Sequence, residues 1–457
     1  MDPRPESVTT SSREDESFRN GSSTPDILTT KAGHSHERWL VLVLLSLMYL
    51  ITYLDRVSLA NTAPLVSKEF GFSKASMGLI FSSFVWAYAL CQVPGGWLGD
   101  RFGPRKVLTA IMAYRTIIAV LTTRAWGFYS FWTVRFMLGV GEAGAFPTAT
   151  RGMQMWFPRR ERGLVQGISH AASRFGAAVG PPLAVAIMIH YGWRNLFYVI
   201  AGVSLLWAVS FSLLYRNAPE EDKRVNKGEL ALIRGVNESG EIKQVNLKMR
   251  PKVPWKILLR HRNMWALMCA YFTYLYCLWI FLSWLPSYLV SYRGFSLLQM
   301  GSFGALPLGA GVFGDAFGGW LTDFLLVKTG NVKFARRSVA IMGMLGCGSF
   351  ILPAALTKNP MIAVWSLTGA MFFLETIIGP SWAVPMDIGG EYSGTVSGMM
   401  NFGGQIGGAL SPTVFGLLVA RGSWIAPFVI AACLLFIGAG IWAFWIDPEV
   451  SVIEAAK

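Results

Sequence analysis

The chain has 457 residues, of which 53% are hydrophobic and only 14% charged, and its formal net charge is +14. A soluble protein of this length carries about 25% charged residues, so that class is excluded. The apolar residues come in blocks of about 20 separated by short charged turns, the pattern of a polytopic helical membrane protein. The cations cluster in the turns, so the positive balance sets topology, with contact to anionic lipid as a further role, and no nucleic-acid partner is expected.

Residues 1–37 are polar, lack the apolar core of a signal peptide, and read as a disordered cytoplasmic tail. Apolar blocks follow at about 39–62, 75–98, 106–123, 127–150, 163–189 and 194–215, then at about 264–290, 297–321, 337–356, 360–384, 393–420 and 424–446. The expected fold is an all-α membrane protein with twelve transmembrane helices in two pseudo-symmetric six-helix bundles, 38–215 and 263–447. A basic cytoplasmic linker with no apolar run, 216–262, separates them, and 448–457 forms a second cytoplasmic tail.

The first block contains the adjacent charges Asp55 and Arg56 and no other charge between Trp39 and Ser67. Each charge at the centre of a membrane helix costs on the order of 3 kcal/mol on insertion scales. Such a pair faces a partner or a wet cavity and marks a functional site. Further charges interrupt the third span (Arg115), the fourth (Arg135 and Glu142), the fifth (Arg174, one turn after His170) and the tenth (Glu375). The connections after even-numbered spans are rich in Arg and Lys, except the acidic one near Asp387 and Glu391, which places both termini in the cytoplasm. The five cysteines lie within apolar blocks without metal-ligand spacing.

An internal repeat supports two related halves. Gly71-Phe72-Ser73 with Met77-Gly78 recurs as Gly294-Phe295-Ser296 with Met300-Gly301, and Gly95-Gly96-Trp97-Leu98 with Asp100 recurs as Gly318-Gly319-Trp320-Leu321 with Asp323. Transporters built from parallel halves bind substrate between them near the midplane and work by rocking. Asp55 and Arg56 map onto Leu278 and Trp279, which confines that charge pair to the first half.

Gly96-x-x-x-Asp100-Arg101-x-Gly103-x-Arg105-Lys106 occupies the turn after the second span, with a degenerate copy at Asp323. It reads either as a basic topology-setting turn or as an ion-pair latch on a cytoplasmic gate. Its spacing resembles the loop 2–3 signature of the major facilitator superfamily. Within that superfamily the chain resembles the anion:cation symporter family through Tyr53-Leu-Asp-Arg-Val-Ser-Leu-Ala60, Phe81–Trp97, Arg135–Pro147 and Trp284-Leu-Pro-Ser-Tyr-Leu289. It looks closest to bacterial proton symporters for galactonate, glucarate and hexuronates. The resemblance implies that Asp55 and Glu142 are protonatable acids. It also implies that Arg56 and Arg135 serve the substrate carboxylate and internal ion pairs, and that Tyr88 and Asn401 bind sugar hydroxyls. Arg174, Trp382 and Gln405 complete the expected substrate-binding set.

From the residues themselves, Arg135 and Glu142 lie seven apart on one helix face, as do Asp55, Ser58 and Thr62, Tyr88 and Gln92, and Ser397, Asn401 and Gln405 at helical spacings. These stripes line a wet cavity or hydrogen-bond neighbouring helices. Asp55, Arg56, Arg135 and Glu142 sum to zero charge, the state a low-dielectric cavity favours. Arg174 meets either the far carboxylate of a dicarboxylate or an internal acid such as Glu375 or Asp315. No nucleotide loop, metal spacing or nucleophile–base pair is present, so neither an enzyme nor a cofactor or metal is expected. The expected function is proton-coupled uptake of a small organic anion, a hexonate, hexuronate or aldarate, by a monomer in a bacterial inner membrane. The alternatives are another anion such as an aromatic acid or phosphate, or a non-transporting receptor.

Overall fold

The computed structural model describes residues 35–158, 161–235, 255–389 and 393–451. The first half consists of α1 (Glu37–Phe70), α2 (Lys74–Phe102), α3 (Pro104–Thr123), α4 (Phe128–Glu142), α5 (Ala145–Trp156), α6 (Arg162–Tyr191) and α7 (Trp193–Leu214). Two short linker helices follow, α8 (Lys227–Arg234) and α9 (Trp255–Arg260). The second half comprises α10 (Arg262–Ser287), α11 (Leu297–Thr329), α12 (Val332–Leu356), α13 (Pro360–Glu375), α14 (Ile378–Gly389), α15 (Ser393–Ala420) and α16 (Ala426–Phe444).

Among the described residues, eleven segments are long and apolar enough to cross a membrane, with α13 and α14 counted together. The twelfth expected span is the broken pair α4 and α5. The 15 residues of α4 rise only about 22 Å against a hydrocarbon core of about 30 Å, so α5 is needed to complete the crossing. The expected tail over 1–37 falls outside the described residues except for 35–37, as do 236–254 in the linker and 452–457 at the C-terminus.

The repeat has a local physical cause. Gly71 (φ 67°) and Gly294 (φ 74°) adopt the left-handed backbone that suits glycine at the end of a helix. Two residues on, the hydroxyls of Ser73 and Ser296 accept from the backbone N–H groups of Ser76 and Gln299 and cap α2 and α11. The second repeated block packs each long helix onto a broken one. A Cβ on Gly95 would stand 2.6 Å from the Cα of Gly144, at the α4–α5 break. A Cβ on Gly379, at the start of α14, would stand 2.8 Å from the Cα of Gly319 on α11. These close approaches bury interrupted backbone inside protein, where it is tolerated at membrane depth. Each break follows directly on a glutamate: Glu142 is the last residue of α4 and Glu375 the last of α13.

The basic linker expected over 216–262 carries the short helices α8 and α9 on its described residues. Glu229 of α8 is fully buried and accepts from the hydroxyl of Ser35 and the backbone N–H groups of Glu37 (3.3 Å) and Arg38 (3.0 Å). It adds to Glu37 a second anion at the N-terminus of the first helix, whose cap position makes no side-chain hydrogen bond. Two turns of amphipathic helix inside a charge run carry too weak a period to read from sequence.

The two halves pack closely at the face opposite the termini. There Ser82 Oγ meets the backbone N–H (3.1 Å) and hydroxyl (2.8 Å) of Thr413, and Lys74 Nζ donates to Ser291 (3.0 Å). Phe81 lies edge-on to Trp284 at 5.6 Å. At mid-depth the halves meet again through Arg174 and Glu375. Nearer the terminal face, α6 and α15 are exposed at Gly167, Ile168, Gly398 and Phe402. The hydrogen bonds and ring contacts between the halves thus concentrate at the face opposite the termini and at mid-depth.

Candidate functional site

A cluster of five buried charges occupies the core of the first half. Arg56 Nε donates to Glu142 Oε1 at 2.6 Å. The Arg56 guanidinium carbon stands 4.8 Å from the ring centroid of Tyr88, 4.9 Å from Tyr53, 5.1 Å from Phe146 and 5.4 Å from Phe84. Such an aromatic box favours a guanidinium, which is planar and weakly hydrated. Asp55, on the adjacent position of α1, points to a different arginine. Arg115 of α3 holds its Oδ2 at 3.1 Å while also donating to the Thr52 hydroxyl (3.0 Å) and the Ile51 carbonyl (2.7 Å).

Arg135 stands apart. It is only 3% exposed, its guanidinium carbon lies 5.0 Å from the Phe84 ring, and among the described residues no carboxylate comes within ion-pair distance of it. Its Nε has no hydrogen-bond partner there, and neither have Arg56 Nη2 and Glu142 Oε2. The four-charge sum expected from sequence is therefore corrected. With Arg115 bound to Asp55, three arginines face two carboxylates, and the cluster carries a formal charge of +1. A buried, uncompensated guanidinium is expensive, and an incoming anion relieves that cost.

The other expected residues separate into three groups. Tyr88 belongs to the cluster through Arg56 and stacks on Phe84 at 5.9 Å. Asn401 and Gln405 lie on α15, which runs along α10 at Tyr271, Leu275 and Trp279, and the buried Gln405 Oε1 lacks a partner among the described residues. Trp382 donates to the Tyr271 hydroxyl at 3.1 Å and faces His170 across the two halves at 6.0 Å. Arg174 takes the internal acid. Its guanidinium reaches Glu375 Oε2 at 3.1 Å, donates to the Tyr53 hydroxyl at 3.1 Å, and lies 3.4 Å from the Tyr274 hydroxyl. The supposed stripe of Ser58 and Thr62 faces no cavity, because both hydroxyls donate to carbonyls of their own helix, those of Leu54 and Leu59.

The turn motif lies at the terminal face, away from the charge cluster. Arg101 covers the rings of Trp97 and Phe102 at 5.0 and 5.5 Å, while Arg105 donates from its backbone to Asn217 Oδ1 and from Nε to the Ser212 carbonyl, both at 2.9 Å. Gly103 (φ 83°) turns the chain, Gly96 faces Pro147, and Lys106 is exposed. The Asp100 side chain lies outside the described residues. Asp323 pairs at 3.0 Å with Arg336 of α12, which also binds Asp387 at 3.2 Å, so this ion pair is made within the second half.

Sequence reasoning missed Tyr53, Tyr274 and Asn61. Asn61 is fully buried and has no partner for either amide atom among the described residues. A polar residue five positions from Arg56 on the same membrane helix was the available signal.

The Major Facilitator Superfamily profile matches residues 45–412. The chain is a member of the major facilitator superfamily. A probable sulfoacetate transporter, SauU, of Cupriavidus necator is 41% identical over 416 residues, covering 91% of this chain and 95% of the relative. A D-galactonate transporter of Escherichia coli is 31% identical, with 91% and 96% covered. The probable galactarate/D-glucarate transporter GarP of Escherichia coli is also 31% identical, with 89% and 94% covered. Among solved structures, an inward-facing, occupied bacterial homologue of the human lysosomal transporter Spinster superposes with a TM-score of 0.72 at 18% identity, covering 90% of this chain and 97% of that one, and shares the fold. The superfamily's membrane-spanning, two-half architecture and its transport role thus apply to this chain, and the sugar-acid transporters expected from the sequence motifs are among its relatives.

Proposed function

We propose that this chain takes up a small organic anion together with protons by alternating access, with Arg135 as the first binding group for an acid group of the substrate. The observation that carries this reading is the unpaired, buried Arg135 in a cluster of formal charge +1. An anion at Arg135 neutralises the surplus. A proton on Glu142 then frees Arg56 to join Arg135 at the same acid group, and a proton on Asp55 frees Arg115. Anion and proton each make the other's arrival cheaper, which is the condition for coupling.

Two substrate classes are compatible with this core. Sugar acids fit the polar groups of Tyr88, Asn401 and Gln405 and the 31% identical relatives named for them. A short sulfonated carboxylate fits the more similar relative named for sulfoacetate. We place the protein in a bacterial inner membrane with both termini in the cytoplasm, acting as a monomer.

The test is uptake of labelled galactonate, glucarate and sulfoacetate into proteoliposomes with an alkaline interior. Wild-type protein concentrates at least one of them, and dissipating the pH gradient abolishes the accumulation. Arg135→Gln removes both binding and uptake. Uptake unaffected by that substitution would refute the assignment.

A further inference from the structure

The surplus positive charge of the first half has a negative counterpart where the second half meets it. Glu375 is fully buried at the end of α13, and its Oε2 receives Arg174 (3.1 Å) from the opposite half and the Tyr274 hydroxyl (3.2 Å) from α10. Its other oxygen, Oε1, is buried without a partner among the described residues. A second acid, Asp315 of α11, stands nearby. A Cβ on Gly311, one turn before Asp315, would lie 3.0 Å from Glu375 Cγ. Gly301 of α11 faces Val185 of α6 and Gly304 faces Pro181. That antiparallel register brings Arg174 level with Gly311, and His170 level with Asp315. Asp315 is half-buried, makes no hydrogen bond or ion pair among the described residues, and interacts electrostatically with both Arg174 and Glu375.

One arginine therefore faces two carboxylates, a formal charge of −1 against the +1 of the first cluster. Taken together, Arg56, Arg115, Arg135 and Arg174 balance Asp55, Glu142, Asp315 and Glu375. The two groups meet at Tyr53, whose ring centroid lies 4.9 Å from the Arg56 guanidinium carbon and 5.3 Å from that of Arg174. The two guanidiniums are thus no more than about 10 Å apart. Unit charges that close, at an effective dielectric constant of about 20, change one another's binding by about tenfold or more. A charge added on one side of Tyr53 is felt on the other.

We propose that Glu375 and Asp315 form a proton-binding site in the second half, and that an anion bound at Arg135 draws one proton onto this pair. The anion cancels the surplus of the first half and leaves the −1 of the second uncompensated. A proton from the aqueous phase, bound by one of the two carboxylates, restores neutrality, while Arg174 keeps the other carboxylate as its partner. Each ion lowers the cost of burying the other. The site is additional to Glu142 and Asp55, whose protons free arginines within the first half. It also links occupancy to rocking. With both acids ionised, Arg174 is attracted to two carboxylates of the opposite half; with the proton bound, only one attraction remains. The titratable and charged groups facing the pair are Arg174 and His170 from α6, Tyr53 from α1, Tyr271, Tyr274 and Cys277 from α10, and Cys347 from α12.

The anion at Arg135 belongs to the transport reading, on which the proton site rests, so binding is measured first and the proton count second. Purified full-length protein is titrated calorimetrically with galactonate, glucarate and sulfoacetate, in pairs of buffers that differ in ionisation heat. The difference between buffers gives the protons taken up per anion bound. Asp315→Asn removes the surplus acid and leaves Arg174 and Glu375 a balanced pair. It is expected to take up one proton fewer per anion than wild type and to bind the anion about tenfold more tightly than wild type at alkaline pH. Asp315→Glu keeps the wild-type count. Infrared difference spectra of anion binding should show a protonated-carboxyl band in wild type that is lost in Asp315→Asn. Glu375→Gln should also lower the count by one; because it breaks a buried ion pair, Asp315→Asn carries the test if that variant is unstable. An unchanged proton count in Asp315→Asn, or loss of its anion binding, overturns the second-half proton site and leaves the transport reading standing. A wild-type protein that binds none of the three anions fails both.

Discussion

Replacing Glu142 by Gln tests the central charge balance most directly. The substitution keeps the shape of the side chain but removes the carboxylate that Arg56 contacts at 2.6 Å, and it raises the formal charge of the cluster from +1 to +2. Breaking one side of a buried ion pair costs about 3–5 kcal/mol, because the surviving charge is left uncompensated. The rings of Tyr53, Tyr88, Phe84 and Phe146 around Arg56 offset part of that, at about 0.5–2 kcal/mol for a well-placed cation–π contact. A net destabilisation of about 2–3 kcal/mol is therefore expected in the absence of anion. Because 1.4 kcal/mol is a factor of ten, anion binding that relieves the charge should tighten by about one to two orders of magnitude. In detergent, the variant should melt below wild type without ligand and show the larger stabilisation with it. In proteoliposomes it should exchange anion across the membrane yet fail to accumulate it against a gradient. A variant that melts like wild type, gains no affinity and still accumulates anion would refute the proposed balance.

Arg115→Gln should strip Asp55 of its only described ion pair and abolish gradient-driven uptake, while Arg115→Lys recovers little because the contacts to Thr52 and Ile51 need the guanidinium fork; initial uptake rates at fixed expression check this. Gly95→Val should place side-chain atoms against the backbone at Gly144 and cost about 1–3 kcal/mol or more in overpacking, read as a lower melting temperature. Glu229→Ala should free the N-terminus of α1 and cost on the order of 1–2 kcal/mol, visible as faster proteolysis within the linker and faster amide exchange at Glu37 and Arg38, with the charge cluster at mid-membrane unaffected.

Much of this protein is legible in its amino-acid sequence. A polar residue inside hydrocarbon is costly, so twenty-residue apolar blocks and the charges that interrupt them carry strong information. That physics alone determined the membrane class and singled out Asp55, Arg56, Arg135, Glu142, Arg174 and Glu375 as candidate site residues. The Gly-Phe-Ser repeat is equally legible, because a left-handed glycine and a serine cap are local requirements. Only the tertiary structure decided which charge meets which. Asp55 binds Arg115 rather than a neighbour from the fourth span, Arg135 is left over, and Arg174 crosses between the halves to Glu375. Pairing depends on how helices rotate and cross. The partners here lie 60, 86 and 201 positions apart, distances over which hydropathy and helical period carry no register. Sequence supplied the inventory of buried charges; packing determined its sum at the site, and that sum is the basis of the anion binding proposed for the cluster.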